Sequence, residues 1–151
     1  MIGEGNITGP LGFRNSSVST VRLVLAKCGL DAHERGVHVI ALGLRDFGFE
    51  VIYLGLRRSP EEIVSAAMQE DADVIGLSSL SGAHNRFVPR VAAILEREHF
   101  SPLLVVGGMI PDEDIPMLLN HGVDRVYGQG SAVAEIARDL ADLVRRKQET
   151  E

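Results

Sequence analysis

The sequence predicts an α/β fold in which a five-stranded parallel sheet is covered by helices on both faces. Short apolar runs rich in branched residues alternate along the chain with longer segments that have helical periodicity. The connections between them are short, which favours parallel strands joined through helices. With 151 residues and 45% hydrophobic content, the chain has the size of one ordinary domain.

Each predicted element is marked by its own residues. The predicted strands are residues 21–26, 49–55, 72–79, 102–108 and 123–128. The predicted helices are residues 36–48, 60–71, 86–99, 111–122 and 131–146. The second helix has the clearest start, because Ser59, Pro60 and Glu62 together have the pattern of a capping box with proline at the first helical position. Pro89 is expected in the first turn of the third helix.

The first residues differ from the rest of the chain. Residues 1–20 are rich in Gly, Ser, Thr and Asn and show no sustained periodicity, which predicts a flexible tail or a docking arm. Residues 21–151 are predicted to form the folded domain. The order of its elements is typical of a flavodoxin-like (Rossmann-like) sheet.

Charge and composition argue against several classes of partner. The formal net charge is -6 and the basic residues are scattered, so we expect no nucleic-acid partner and no anionic membrane surface. No apolar run approaches the length of a membrane span, and the N-terminus lacks a basic region followed by an apolar core, so we expect a cytoplasmic protein. The single cysteine, Cys28, predicts a small, partly buried thiol rather than a disulfide or a zinc site.

The residues that suggest chemistry cluster at the predicted carboxyl ends of the strands. In parallel sheets of this kind, ligands bind at that edge. The residues there are Lys27, Asp31 and His33 after the first strand, Ser78–Gly82 after the third, Gly107 and Gly108 after the fourth, and Tyr127–Ser131 after the fifth. Glycines let a bulky ligand approach the backbone, and hydroxyl groups add hydrogen bonds without filling space. The pattern predicts a deep slot.

Several chemistries can use such a slot. The first loop, "KCGLDAHERG", lacks the G-x-G-x-x-G of dinucleotide folds, and a P-loop is absent. A phosphoacceptor receiver domain needs an aspartate where Ser78 stands. A hydrolase that pairs Ser78 or Ser79 with His33 is conceivable, but no oxyanion arrangement or third group is marked.

The spacing Asp31-x-His33 suits a metal-binding histidine, and it suits equally a helix cap next to an ordinary loop imidazole. A carboxylate can hold one ring N–H and leave the other nitrogen free for a metal. Lys27 extends this pair to a possible Lys–Asp–His relay. His84 follows "SSLSGA" at the same edge, and the sequence leaves open whether it contacts the ligand.

Three motifs in order carry a family resemblance. "DAHERG", "SSL" and "GG" are similar to the D-x-H-x-x-G, S-x-L and G-G signature of cobalamin-binding domains in adenosylcobalamin-dependent mutases and methionine-synthase-type proteins. The longer strings "SSLSGAH" and "GGMIPDEDIPMLLNHGVDRVYGQGS" most resemble the carboxyl-terminal domain or small subunit of acyl-CoA mutases such as methylmalonyl-CoA mutase. The resemblance covers residues 21–146.

The resemblance implies a role for each motif residue. His33 would be the lower axial ligand of cobalt and would displace the cofactor's own benzimidazole, while Asp31 would hydrogen-bond His33 with Lys27 behind it. The displaced nucleotide tail would meet Ser78 and pass along Leu80, Gly82, Gly107, Gly108, Tyr127, Gly128 and Ser131. Departures from the family pattern are Ala32, where these mutases often have Gly, and Gln129 and Ser131 in a segment that is similar to "GPGT".

The resemblance also implies a division of labour. A mutase of this type needs a barrel of about 250 residues that binds the acyl-CoA and encloses the radical, and this chain has none. We therefore expect a small subunit of an isomerase, which carries adenosylcobalamin and its cobalt and works with a large acyl-CoA-binding barrel subunit. Two alternatives are a corrinoid methyl carrier and a non-catalytic module that stores, delivers or senses cobalamin.

Overall fold

The computed structural model describes residues 20–30, 33–80 and 82–151. Its strands are β1 (Arg22–Lys27), β2 (Glu50–Tyr53), β3 (Val74–Ser79), β4 (Leu103–Gly108) and β5 (Arg125–Gly128). Its helices are α1 (Arg35–Asp46), α2 (Pro60–Gln69), α3 (His84–Arg97), α4 (Ile115–Asn120) and α5 (Val133–Thr150). A 3-10 turn, Asp112–Asp114, leads directly into α4.

The strands form one parallel sheet in the order β2-β1-β3-β4-β5. From β1 the chain crosses to β2 on one side and then to β3 on the other, so the direction of strand order reverses between β1 and β3. The carboxyl ends of these two strands form the crevice where ligands bind in such sheets. The predicted fold class is confirmed.

Both faces of the sheet are covered, because side chains alternate along each strand. On one face, Leu23 and Val105 pack with α1 and α5, and we call it the α1/α5 face. On the other, Val24 and Val106 pack with α2 and α3, and we call it the α2/α3 face. The two apolar layers fix which face each residue at the end of a strand occupies.

The capping box of α2 is confirmed. The backbone N–H of Glu62 donates to Ser59 Oγ at 3.0 Å, and the backbone N–H of Ser59 donates to Glu62 Oε1 at 2.8 Å. These two bonds satisfy groups that the first turn of a helix otherwise leaves unpaired.

Several helix boundaries differ from the prediction, and those of α3 and α5 show why. Helix α3 begins at His84, so Pro89 lies in its second turn rather than its first. The carbonyl that Pro89 leaves without a donor belongs to Asn85, an exposed residue that water can reach. Helix α5 continues to Thr150, beyond the predicted end at residue 146, and ion pairs one turn apart support the extension, including Arg145 with Glu149 at 3.0 Å.

The opening segment lies almost wholly outside the described residues. The tail predicted for residues 1–20 therefore stays a prediction, as does the cytoplasmic location. Of the helices in the described ranges, none has both the length and the apolar character needed to cross a membrane.

Candidate functional site

Four of the predicted site residues form one row across the carboxyl edge of the sheet. Lys27 pairs with Ser78, Ser78 with Gly107, and Gly107 with Tyr127 in the register of the strands. Since side chains alternate along a strand, all four positions lie on the α1/α5 face. The structure therefore places on one surface residues that are distant in sequence.

Gly107, in the middle of this row, leaves space for at least one more carbon atom. A Cβ added to Gly107 would have, within 4 Å, the carbonyl oxygen of Tyr127 at 3.5 Å and its Cβ at 3.8 Å, which are ordinary contact distances. Ser78, Gly107 and Tyr127 are half-buried, whereas Lys27 is only 2% exposed. The row therefore has small side chains at its middle positions, Ser78 and Gly107, with a buried lysine at one end and an aromatic residue at the other.

The hydroxyl of Tyr127 is engaged with helix α5. It donates to Asp139 Oδ2 at 2.6 Å, and Arg125 Nε donates to the same oxygen at 2.9 Å. Burial and the hydrogen bond to Asp139 raise the pKa of Tyr127, and the bond to Asp139 raises the pKa of Arg125. Tyr127 therefore offers the slot its ring and backbone rather than its hydroxyl group.

Gly108 is required by the fold itself. Its φ is 115°, and a Cβ at this position would lie 2.0 Å from the carbonyl oxygen of Ser79. The backbone N–H of Met109 donates to that same oxygen at 2.9 Å. The close approach of these two strand ends explains the glycine without a ligand.

The remaining predicted residues border the row. Leu80 and Ser131 are half-buried, and Gly82 and Gly128 are exposed. Ser131 Oγ donates to the carbonyl of Gly128 at 2.8 Å and so closes the turn after β5.

The structure describes two of the three residues of the predicted Lys27–Asp31–His33 relay. His33 is exposed in the segment between β1 and α1, and Lys27 is buried at the end of β1. Asp31 lies outside the described residues. The Lys27–Asp31–His33 relay therefore stays a prediction.

A contact that the sequence did not reveal fixes the chain next to His33. Glu34 Oε2 accepts a hydrogen bond from the Tyr53 hydroxyl at 2.6 Å, and His38 Nε2 lies 3.7 Å from the same oxygen. The rings of His38 and Tyr53 meet edge to face, with centroids 5.0 Å apart. These contacts join the start of α1 to the end of β2. Only the one-turn spacing of Glu34 and His38 is visible as a sequence signal.

The structure gives Ser79 a different histidine partner from the one considered for a hydrolase. Ser79 Oγ lies 2.8 Å from His84 Nδ1, and His84 Nε2 lies 2.9 Å from Asp114 Oδ2. Ser79 is 1% exposed and His84 is fully buried. A ligand at the sheet edge cannot reach that hydroxyl, so Ser79 is not available as a nucleophile paired with His33.

The two tyrosines allow a test of these hydrogen bonds. Burial, followed by the bond to Glu34, raises the pKa of Tyr53, as burial and Asp139 do for Tyr127. In the unfolded chain both phenols ionise near pH 10, so folding stability should be full below pH 10 and fall as pH rises above it. Because the chain has two tyrosines and no tryptophan, tyrosinate absorbance is easily followed. It should appear together with the loss of circular dichroism; ionisation in the intact fold near pH 10 would contradict the assignment.

Comparison with known proteins decides the family. Residues 21–138 match the family model described as the B12 binding domain. The small subunit of 2-hydroxyisobutanoyl-CoA mutase from Aquincola tertiaricarbonis is 44% identical over 125 residues, which is 82% of this chain and 92% of that protein. The chain belongs to the B12-binding domain family. The resemblance drawn from the motifs is confirmed, and with it the cobalamin class of cofactor.

Larger relatives contain the B12-binding domain as one part. Methylmalonyl-CoA mutase from Rhizobium meliloti (strain 1021) is 38% identical over 127 residues. The match spans 83% of this chain and 18% of that protein. The remainder of such a mutase has no counterpart in this B12-binding domain.

Solved structures confirm the fold and show why fold alone does not assign function. A cobalamin-binding protein from Desulfitobacterium hafniense DCB-2 superposes with a TM-score of 0.65 at 21% identity, over 86% of this chain and 58% of that one. The receiver domain of the response regulator NarL from Mycobacterium tuberculosis superposes with a TM-score of 0.66 at 16% identity, over 85% of this chain and 98% of that one. The two scores are nearly equal, so the B12-binding domain is distinguished from a receiver by its sequence, including Ser78 where a receiver needs aspartate.

Proposed function

We propose that this B12-binding domain is the cobalamin-carrying subunit of an adenosylcobalamin-dependent acyl-CoA mutase, an isomerase. A separate large subunit binds the acyl-CoA. The observation that carries the proposal is the 44% identity that extends over 92% of a mutase small subunit. The much larger methylmalonyl-CoA mutases match over 18% of their length, which is consistent with a substrate site outside this domain.

The slot on the α1/α5 face fits the nucleotide tail of the cofactor. That tail is elongated and ends in a flat aromatic base. Gly107 supports this assignment, because it carries no side chain and a Cβ there would have no atom nearer than 3.5 Å, so a ligand can approach the backbone. Ser78 offers a hydroxyl to the tail, and Tyr127 offers an apolar ring. We assign the tail site to Ser78, Leu80, Gly82, Gly107, Gly108, Tyr127, Gly128 and Ser131.

His33 is assigned as the lower axial ligand of cobalt. It is exposed in the segment between β1 and α1, after a strand that ends at the carboxyl edge of the sheet. Asp31 then holds the second ring nitrogen of His33, and Lys27 supports Asp31 from inside the fold. When bound, adenosylcobalamin supplies an organic radical through homolysis of its cobalt–carbon bond. The domain's own residues bind and orient the cofactor and set the basicity of the imidazole.

Reconstitution tests the proposal. The domain is loaded with adenosylcobalamin and mixed with the large subunit of an acyl-CoA mutase, and 2-hydroxyisobutanoyl-CoA and methylmalonyl-CoA are offered in separate reactions. We expect carbon-skeleton rearrangement with one of them when both subunits are present. The large subunit with cofactor and without this domain is the matched control, and it should be inactive.

Three outcomes would overturn the assignment. Rearrangement by this domain alone would contradict the division into subunits. Transfer of a methyl group from the loaded domain to an acceptor, with no rearrangement in any combination, would favour the methyl-carrier alternative. Binding of cobalamin with neither reaction would favour the storage, delivery or sensing alternative.

A further inference from the structure

A buried polar chain lies behind the proposed tail slot. Ser79 Oγ, the imidazole of His84 and Asp114 Oδ2 are linked in series at 2.8 and 2.9 Å. Ser79 follows Ser78 in β3, so its side chain occupies the opposite, α2/α3 face. The chain is therefore separate from the row that includes Ser78 and Gly107.

The hydrogen-bonding groups in this chain are mutually satisfied. The Asp114 side chain is 22% exposed and accepts the N–H of His84 Nε2. His84 Nδ1 is then an acceptor, and the hydroxyl of Ser79 donates to it. Burying a polar side chain without partners costs free energy, and here each partner is supplied by a different segment of the chain.

His84 connects the two loops that flank the slot at the sheet edge. Ser79 is the last residue of β3, whereas Asp114 ends the segment that follows β4. The backbone bond from Met109 N–H to Ser79 O, at 2.9 Å, joins the same loops close to the strands. The imidazole adds a second connection farther out, where the backbone of the two strands no longer pairs.

We propose that His84 is a positioning residue that holds the end of β3 at Ser79 against the loop after β4 and so keeps the edge of the tail slot in shape. The proposal rests on the proposed function, because it takes that slot as the site of the nucleotide tail. It assigns to His84 an effect on tail recognition without contact with the cofactor.

His84→Phe tests the idea, because it keeps a ring of similar size and removes both hydrogen bonds. The affinities of cobalamin and of cobinamide, a corrinoid that lacks the nucleotide, are measured by absorbance titration. The preference of the wild-type domain for the tail-bearing form should fall about 10-fold or more, in the range typical of residues that orient ligands. Cobinamide affinity should stay close to the wild-type value.

Asp114→Ala carries the same test if His84→Phe fails to fold. Asp114 makes no capping bond to the helix that it precedes, so its removal affects mainly the bond to His84. Asp73→Ala is the matched control: Asp73 Oδ2 accepts the backbone N–H of Arg22 at 2.8 Å at the opposite, amino edge of the sheet. It should lower the thermal midpoint and leave the preference for the tail unchanged.

The outcomes separate the two proposals. An unchanged preference in His84→Phe, or in Asp114→Ala where that variant carries the test, would overturn the role of His84 while the proposed function stands. An equal loss of preference in Asp73→Ala would also overturn it, since the effect would then follow stability alone. Failure of the wild-type domain to bind cobalamin would instead overturn the proposed function.

Discussion

Cob(II)alamin bound to this domain is expected to have the imidazole of His33 on cobalt in place of benzimidazole. Electron paramagnetic resonance should show hyperfine coupling to one axial nitrogen. When the protein is made with histidine enriched in heavy nitrogen, the splitting should change from that of a spin-one nucleus to that of a spin-one-half nucleus. The physical reason is that an exposed imidazole in the segment after β1 can bind the metal while the displaced tail lies in the slot.

Three variants sharpen this expectation. His33→Ala should abolish the label-sensitive coupling, whereas His121→Ala, which removes another exposed histidine, should retain it. Asp31→Asn should keep the coupling and weaken cofactor binding about 10- to 100-fold, as expected for a group that orients a metal-bound histidine. Coupling that does not respond to labelled histidine would show that benzimidazole stays on cobalt, and the axial role of His33 would be wrong.

The elements that the sequence predicted best are those specified by local interactions. The capping box at Ser59 needs two residues one helical turn apart, so it is visible in the sequence and is found in the structure. The end of α5 at Thr150 was missed because exposed ion pairs, such as Arg145 with Glu149, extend a helix without an apolar signal. Hydrophobic periodicity shows which face of a helix is buried, so it does not reveal a helical end that is exposed on all sides.

The site was predictable as a set of loops but not as a surface. Motif order placed Lys27, Ser78, Gly107 and Tyr127 at the carboxyl edge, yet a shift of one residue in register would move a side chain to the opposite face. Only the pairing of the strands shows that the four share one face.

Contacts between residues that are far apart in the sequence produce no recognisable sequence pattern. His84 and Asp114 are separated by 30 positions and come from different loops. The acidic run that contains Asp114 is equally well explained by the start of a helix. The sequence therefore left open whether the histidine after "SSLSGA" contacts the ligand, and the structure shows that its partners lie within the fold.

Gly107→Leu is expected to separate tail-bearing from truncated corrinoids. The fold accepts a Cβ at Gly107, since the nearest atom would be the Tyr127 carbonyl oxygen at 3.5 Å. The rest of the leucine side chain must then occupy the space over Gly107, which the tail needs. Overpacking of this kind costs about 1–3 kcal/mol, so cobalamin should bind about 10- to 100-fold more weakly. Cobinamide should bind as it does to the wild-type domain.

Two further variants show whether the effect comes from the slot or from the fold. Gly107→Ala adds the tolerated Cβ alone, so it should cause a smaller loss of cobalamin affinity and no loss of thermal stability. Gly108→Ala should lower the thermal midpoint and weaken both corrinoids, because its Cβ would lie 2.0 Å from the carbonyl oxygen of Ser79. If Gly107→Leu binds cobalamin and cobinamide with unchanged affinities, the tail does not lie over Gly107. An equal loss for both corrinoids, with a lowered thermal midpoint, would instead make Gly107 a requirement of the fold like Gly108.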